Sequence, residues 1–258
     1  MISVQSIPPS DVQACVQCRK GQKLDFDLRF AYQPIVDIAE RKVIAYEALV
    51  RGPNGEGAAH VLRRVTRDNL YLFDQSCRVE AIRGAARVGI RERLSINFLP
   101  NAVYHPSTCI RSTLAAAREV DFPIENIIFE VTEGERVQDR AHLVRLIRAY
   151  DELGFRTAID DFGAGYAGLE LLSDYQPDIL KLDMGLIRDI DACKPRQAIL
   201  KGVLTMCGEL GIQVLAEGIE TPAERDYLAE ADVRLMQGYW FGRPALEARS
   251  EIDPRAWG

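Results

Sequence analysis

The sequence predicts an α/β fold, a TIM-like (β/α)8 barrel modified by an antiparallel first strand, and three observations carry that prediction. The chain has 258 residues, 47% of them hydrophobic, a length and core content that suit one large barrel or two small domains. From Leu28 onward, apolar strand-like runs alternate with amphipathic helix-like runs, the pattern of a parallel sheet covered by helices. The first two strand-like runs are joined only by a short polar segment around Ala39 to Lys42, too short for a crossover helix, so they form an antiparallel hairpin.

In chain order, LRFAYQPIVD (28–37) and VIAYEALVR (43–51) make that hairpin. LSINFLP (94–100), IIFEVTE (127–133), RTAIDDF (156–162), ILKLDM (179–184), QVLAEGI (213–219) and LMQGYWF (235–241) bring the strands to about eight, the number with which such a barrel closes. Between them, Phe73, Cys77, Ala81 and Ala85 make one helical stripe. A second is Leu143, Leu146, Ile147 and Tyr150, with Arg145, Arg148, Asp151 and Glu152 off it. No internal repeat, low-complexity tract or linker is present, so residues 1–22 read as an N-terminal extension and 23–258 as one domain.

The formal charge of −6 excludes binding a long nucleic acid through a basic surface, while a small anionic ligand needs only local positive charge. No stretch approaches the roughly 18 apolar residues of a membrane span, and MISVQSIPPS lacks the layout of a signal peptide, so a soluble cytoplasmic protein is expected, with no membrane partner. Six cysteines include one C-x-x-C pair, Cys15 and Cys18; no second ligand pair accompanies it, and ordinary reduced thiols are expected.

Chemistry collects at the strand ends. Glu47, Asn97, Glu130, Asp160 with Asp161, Lys181 with Asp183, Glu217 and Gln237 each sit toward the end of a strand, where apolar neighbours do not explain them. One strand-end carboxylate commonly caps the next helix. Six of them with an Asn, on strands whose ends converge on one barrel mouth, point to a common site. Adjacent carboxylates such as Asp160 and Asp161 repel each other unless something positive lies between them. Packed carboxylates and an amide oxygen suit Mg²⁺ or Mn²⁺, and two ions roughly 3.5–4 Å apart form the clamp that hydrolyses phosphate esters. Asp160 can bridge both ions while Asp161 reaches one. Lys181 either faces the same mouth, where it orients or deprotonates the attacking water, or pairs with Asp183; Glu133 can equally cap a helix.

At these residues the sequence resembles the EAL domain family, the cyclic di-GMP phosphodiesterase module. YEALVRG (46–52) resembles the signature that names the family, with Val50 where Leu is common. QPIVD, SINFLP, FEVTE, DDFGAGYAGL, LKLD, AEGIE and QGYWF match in the family's order, from about Phe30 to Pro244. The segments EALVRGPNGEGA and FDQSCR look most like EAL domains attached to blue-light-sensing flavin modules, although only about thirty residues precede the barrel, fewer than a sensor domain needs. The expectation is a stand-alone relative or a cut-out fragment.

The resemblance implies a metal-dependent hydrolase that opens cyclic di-GMP to linear pGpG by two-metal in-line water attack. It places Glu47, Asn97, Glu130 and Asp160 on one ion, and Asp160, Asp161 and Glu217 on the second, with Ca²⁺ inhibitory. Glu47, Lys181 and Glu217 are the implied catalytic residues, the general base being either Lys181 or Glu217. Gln33, Arg51, Gln237 and Asp183 are the implied substrate contacts, and Glu133 would hold the loop after Asp161. That loop, Gly163 to Gly168, lacks the Thr and Ser common in the family, and it should couple the metal site to a homodimer interface. The YWFGRPALE stretch is a second, slight departure, on the guanine side. The alternative reading is a non-catalytic EAL module that senses cyclic di-GMP or binds a regulatory protein such as a transcriptional repressor. A sugar-phosphate barrel lacks the expected glycine-rich loop after the last two strands.

Overall fold

The structure, a computed structural model, describes residues 24–103, 105–132, 140–165 and 168–258. Strands β1 (Arg29–Asp37) and β2 (Lys42–Arg51) form the expected antiparallel hairpin, with Gln33 opposite Glu47. Asp37 makes the tight turn possible, since its Oδ1 accepts from the backbone N–H of Ala39 and of Glu40, both at 3.0 Å. Strands β3 (Arg93–Asn97), β4 (Ile127–Thr132), β5 (Arg156–Phe162), β6 (Ile179–Leu182), β7 (Gln213–Ala216) and β8 (Leu235–Gln237) then run parallel to β2 in sequence order. β1 closes the barrel by pairing antiparallel with both β8 and β2, and a ninth short strand, β9 (Ala245–Leu246), continues its β8-side edge. The fold is therefore the modified eight-stranded barrel that the sequence predicts, plus β9. A parallel connection needs a helix-length crossover and a hairpin does not, so the short turn at residues 38–41 is what reverses the first strand.

The crossovers are helices whose stripes face the barrel. α1 (Leu70–Arg87) buries Phe73, Cys77, Ala81 and Ala85, while α2 (Arg111–Glu119) packs beside α1. α3 (Arg140–Glu152) buries Leu143, Leu146, Ile147 and Tyr150 and leaves Arg145, Arg148, Asp151 and Glu152 in solvent. α4 (Gly168–Asp174), α5 (Lys194–Leu210) and α6 (Pro222–Glu230) follow β5, β6 and β7. α6 begins with a capping box: Thr221 Oγ1 accepts from Glu224 N, and the Glu224 carboxylate accepts from Thr221 N. Cys77, Cys109 and Cys207 are buried free thiols and Cys193 is half-buried. Cys15 and Cys18 lie outside the described residues. No helix among the described residues is long and apolar enough to cross a membrane.

Two layers of inward side chains place the site. The lower is an apolar plug of Ile35, Ala45, Ile128, Ala158, Ile179, Leu215 and Leu235. Side chains two residues apart on a strand share a face. One step toward the mouth from each plug residue therefore stands Gln33, Glu47, Glu130, Asp160, Lys181, Glu217 or Gln237. Outside the barrel, Arg78 of α1 is fully buried; it is paired with Asp74 one turn earlier and donates to Tyr150 Oη of α3 at 3.2 Å. Asp74 Oδ1 also accepts from the backbone N–H of Leu99 at 2.9 Å, in the loop that leaves Asn97. Truncating one partner of such a pair strands the other charge in an apolar shell of Phe98, Phe129 and Phe155. Arg78→Met is expected to cost about 3–5 kcal/mol in urea unfolding, and adding Asp74→Leu to recover part of that loss; an Arg78→Met protein as stable as wild type would refute the assignment.

Candidate active site

At the mouth, Lys181 on β6 projects its ammonium among four carboxylates. Nζ lies 2.8 Å from Glu217 Oε1, 2.9 Å from Glu130 Oε1, 3.0 Å from Asp160 Oδ1 and 3.8 Å from Glu47 Oε1. Lys181 and Glu130 are each only 1% exposed. Neighbours brace the carboxylates: Ser95 Oγ donates to Glu130 Oε1 at 2.5 Å, and Asn97 Nδ2 bridges Glu47 Oε1 and Glu130 Oε2 at 3.1 and 3.2 Å.

A regular strand sends adjacent side chains to opposite faces, so Asp160 and Asp161 should not both reach the mouth. β5 solves this with an irregularity. Its register against β6 shifts between Ile159 and Phe162, and Asp161 takes a left-handed backbone with φ +57°. Asp tolerates that conformation better than most residues, and its N–H is satisfied by Asp160 Oδ1 at 2.9 Å. The two aspartates and Glu217 thereby come within 4.8 Å of one another through carboxylate oxygens, as do Glu47, Glu130 and Asp160. Asp160 belongs to both groups.

Burial and crowding set the electrostatics. Desolvation, reinforced by the charges of Glu47 and Asp160, pushes Glu130 up to about 8 against the pull of Lys181. Burial likewise raises Glu217 well above the carboxylate range, and raises Asp161 to about 6 with help from Asp160. Burial works against the charge on Lys181, but Asp160, Glu130, Glu217 and Glu47 together outweigh it and hold the ammonium charged well above its ordinary range. Five carboxyl groups, Glu130 and Glu217 among them holding protons near neutrality, surround the one ammonium. An all-oxygen donor set in two overlapping groups of three is what hard divalent cations take, so these residues fit the expected metal centre. Asn97 turns its amide nitrogen toward Glu47 and Glu130; rotating the amide by half a turn would offer the oxygen instead.

The structure treats the other expected residues differently. Gln33, Gln237 and Asp183 line the cleft above the carboxylates. Asp183 lies just past β6 and also caps the helical turn Met184–Ile187, accepting from Gly185 N at 2.8 Å. Glu217 likewise lies one residue beyond β7. Arg51, at the end of β2, does not line that cleft; its Nη1 donates to Val50 O at 2.8 Å. Glu133 lies outside the described residues, as do Tyr166 and Ala167 of the glycine loop.

The cleft also contains residues that the sequence reading missed. Met184 and Tyr239 are about half exposed on its wall, and the Arg243 guanidinium lies 4.1 Å from the Tyr239 ring centroid. Ser95 was accessible to the same period-two count that finds Asn97. Gly238 has no side chain for a physical reason: a Cβ there would sit 2.1 Å from Ile219 O, so only glycine lets the loop carrying Glu217 close against the end of β8.

An eight-stranded α/β barrel whose mouth gathers carboxylates for divalent cations defines the class. The family description "EAL domain" matches residues 19–244, and the chain belongs to the EAL domain family. It is 33% identical over 229 residues to the blue light- and temperature-regulated antirepressor BluF of Escherichia coli K12, covering 88% of this chain and 56% of BluF. It is 31% identical over 246 residues to the cyclic di-GMP phosphodiesterase NbdA of Pseudomonas aeruginosa, covering 90% of this chain and 31% of NbdA. The chain thus spans about half of one curated relative and a third of the other.

Among solved structures, a standalone versatile EAL protein from Vibrio cholerae O395 in its cyclic di-GMP-bound form superposes with a TM-score of 0.89 at 54% identity, covering 92% of this chain and all of that one. BlrP1 of Klebsiella pneumoniae matches with a TM-score of 0.80 in a calcium/cyclic di-GMP complex, at 37% identity over 87% of this chain and 57% of BlrP1. Its manganese/cyclic di-GMP complex at pH 9.0 gives the same TM-score at 35% identity, over 88% and 57%.

The raised carboxylates make cation binding pH-dependent. Above their ordinary range they hold protons near neutrality that a divalent ion must displace, so the sign is release of protons and tighter binding as pH rises. Calorimetry of Mn²⁺ binding to chelator-stripped protein, in buffers of different ionisation enthalpy, is expected to show release at pH 7 and affinity rising about tenfold per pH unit for each proton released. Affinity flat from pH 6 to 8 would contradict this account.

Proposed function

We propose that this chain is a cyclic di-GMP phosphodiesterase that yields linear pGpG, and the observation that carries the reading is the pair of carboxylate groups sharing Asp160 beside Lys181. The cyclic di-GMP-bound Vibrio cholerae relative and the phosphodiesterase name of NbdA support the substrate class. Glu47, Asn97, Glu130 and Asp160 would hold one Mg²⁺ or Mn²⁺ ion and Asp160, Asp161 and Glu217 the other. Two such ions, when bound, supply Lewis-acid polarisation of the phosphoryl group and lower the pKa of the attacking water. The chain itself provides alignment and a proton acceptor. Of the two implied bases, 2.8 Å apart, the charged Lys181 ammonium would orient the water, and the Glu217 carboxylate, ionised when a cation is bound beside it, would accept its proton. Gln33 and Asp183 face the substrate from the cleft wall, while the plug beneath keeps bulk water from entering the mouth from below.

Incubation with cyclic di-GMP and Mn²⁺ or Mg²⁺, followed by chromatography, is expected to show pGpG. Glu47→Ala should lower turnover by roughly 100-fold or more with the fold intact, since a rigid barrel cannot replace a lost ligand. Full turnover in folded Glu47→Ala would sink the metal assignment. Ca²⁺, which takes longer and more variable coordination, should bind and support little turnover. The name of BluF favours a second reading, a partner-binding antirepressor, with cyclic di-GMP bound but never opened. Binding without pGpG in every metal would select it. A cytoplasmic homodimer, with the glycine loop after Asp161 in contact with the dimer interface, belongs to the same proposal.

A further inference from the structure

Glu47 is held by a chain of amides whose direction is fixed from its far end. That end is the Gly242 carbonyl oxygen, which can only accept, and Gln33 Nε2 donates to it at 3.1 Å. Gln33 must therefore turn Oε1 the other way, where Gln237 Nε2 donates to it at 3.2 Å. The same nitrogen donates to Glu47 Oε2 at 2.7 Å. Gln33, Gln237 and Glu47 are buried, at 8, 4 and 6% exposure. The antiparallel first strand builds this chain. Gln33 lies opposite Glu47 on β2, and Gln237 lies opposite Ile35, two residues from Gln33 on the same face of β1.

A primary amide carries two donor hydrogens, and Gln33 and Glu47 engage both of those on Gln237. What remains is Gln237 Oε1, buried and without a hydrogen-bond partner among the described residues. A phosphodiester has no donor to give it. Glu47 Oε1 accepts from Asn97 Nδ2 at 3.1 Å, a contact that Asn97 would give up on turning its oxygen to an ion, so Gln237 is the amide that grips Glu47 in either state.

We propose that Gln237, braced by Gln33 and the Gly242 carbonyl, is a positioning residue for Glu47 that sets the affinity of the mouth for divalent cations, and does not hold substrate phosphate. This rests on the reading of the mouth as a divalent-metal centre. Partners of this kind are worth about 10- to 100-fold in metal affinity. The test measures Mn²⁺ affinity of chelator-stripped protein without nucleotide, for wild type, Gln237→Met and Gln33→Met, each checked for folding by thermal unfolding. Methionine keeps the length and removes the amide. Gln237→Met is expected to bind Mn²⁺ about tenfold more weakly, with its cyclic di-GMP affinity at saturating Ca²⁺ within about threefold of wild type, and Gln33→Met is expected to lose less of the Mn²⁺ affinity. Gln237→Leu, which also removes the amide without adding charge, is expected to weaken Mn²⁺ in the same direction and stands in if the Met variant fails to fold. Unchanged Mn²⁺ affinity in a folded Gln237 variant would overturn the proposal whatever its nucleotide affinity, and a roughly tenfold loss of nucleotide affinity beside it would make Gln237 a substrate contact instead. Because the readout is metal affinity, it decides this role independently of turnover; wild-type protein that binds Mn²⁺ and yields no pGpG would count against the proposed function alone.

Discussion

One buried ammonium facing four carboxylates is the constraint around which the rest of the molecule is arranged. Charges so close in a low-dielectric mouth are tolerable only when each is compensated and none can move away, because moving one exposes the others to uncompensated repulsion. Lys181 supplies part of the compensation within 3.0 Å of three partners. The barrel supplies the immobility. Each member of the cluster stands on or just beyond a different strand, and the apolar plug one step below stops any of them from sinking into the core. The charge that remains uncompensated is what would attract a divalent cation.

Much of this was legible because period-two alternation is a local property. Counting by twos from Ile128, Ala158 or Ile179 reaches Glu130, Asp160 or Lys181, and the short link at residues 39–42 forces the antiparallel start. The bulge in β5 was not legible in the same way. Adjacency of Asp160 and Asp161 suggests a shared site, but a regular strand would separate them, and the register shift that reunites them depends on pairing with β6. Strand ends were overestimated at Asp183 and Glu217, where hydrophobic pattern continues after the ladder stops. Arg51 sat in the right motif, yet its guanidinium turns to a backbone carbonyl, a rotamer choice that sequence does not encode.

The Arg78 and Asp74 pair was invisible for another reason: charged residues on a predicted amphipathic helix are normally assigned to its wet face. Here they lie on the dry one, between the helical shell and the barrel, where they join α1, α3 and the loop leaving Asn97. The aromatic rings of Phe98, Phe129, Tyr150 and Phe155 surround them, with centroids 4.9–6.0 Å apart. Phe129 of this shell precedes Glu130 and Phe98 follows Asn97, so each ring is one residue from a side chain of the mouth. A disturbance of the outer layer thus has a short path to the carboxylates.

The reversed first strand has a consequence for wiring. In an all-parallel barrel the chain enters its first strand at the floor, far from the reacting end. Here Arg29 is paired with Arg51, at the rim, and the residues just before it, Leu24, Phe26 and Leu28, lie against Gln75, Val79 and Arg83 of α1. β1 then carries Gln33 two residues from the step that pairs with β8, and ends at the floor. β1 thus spans the wall from rim to floor, and a displacement along it would shift Gln33 against Glu47, the residue opposite it on β2.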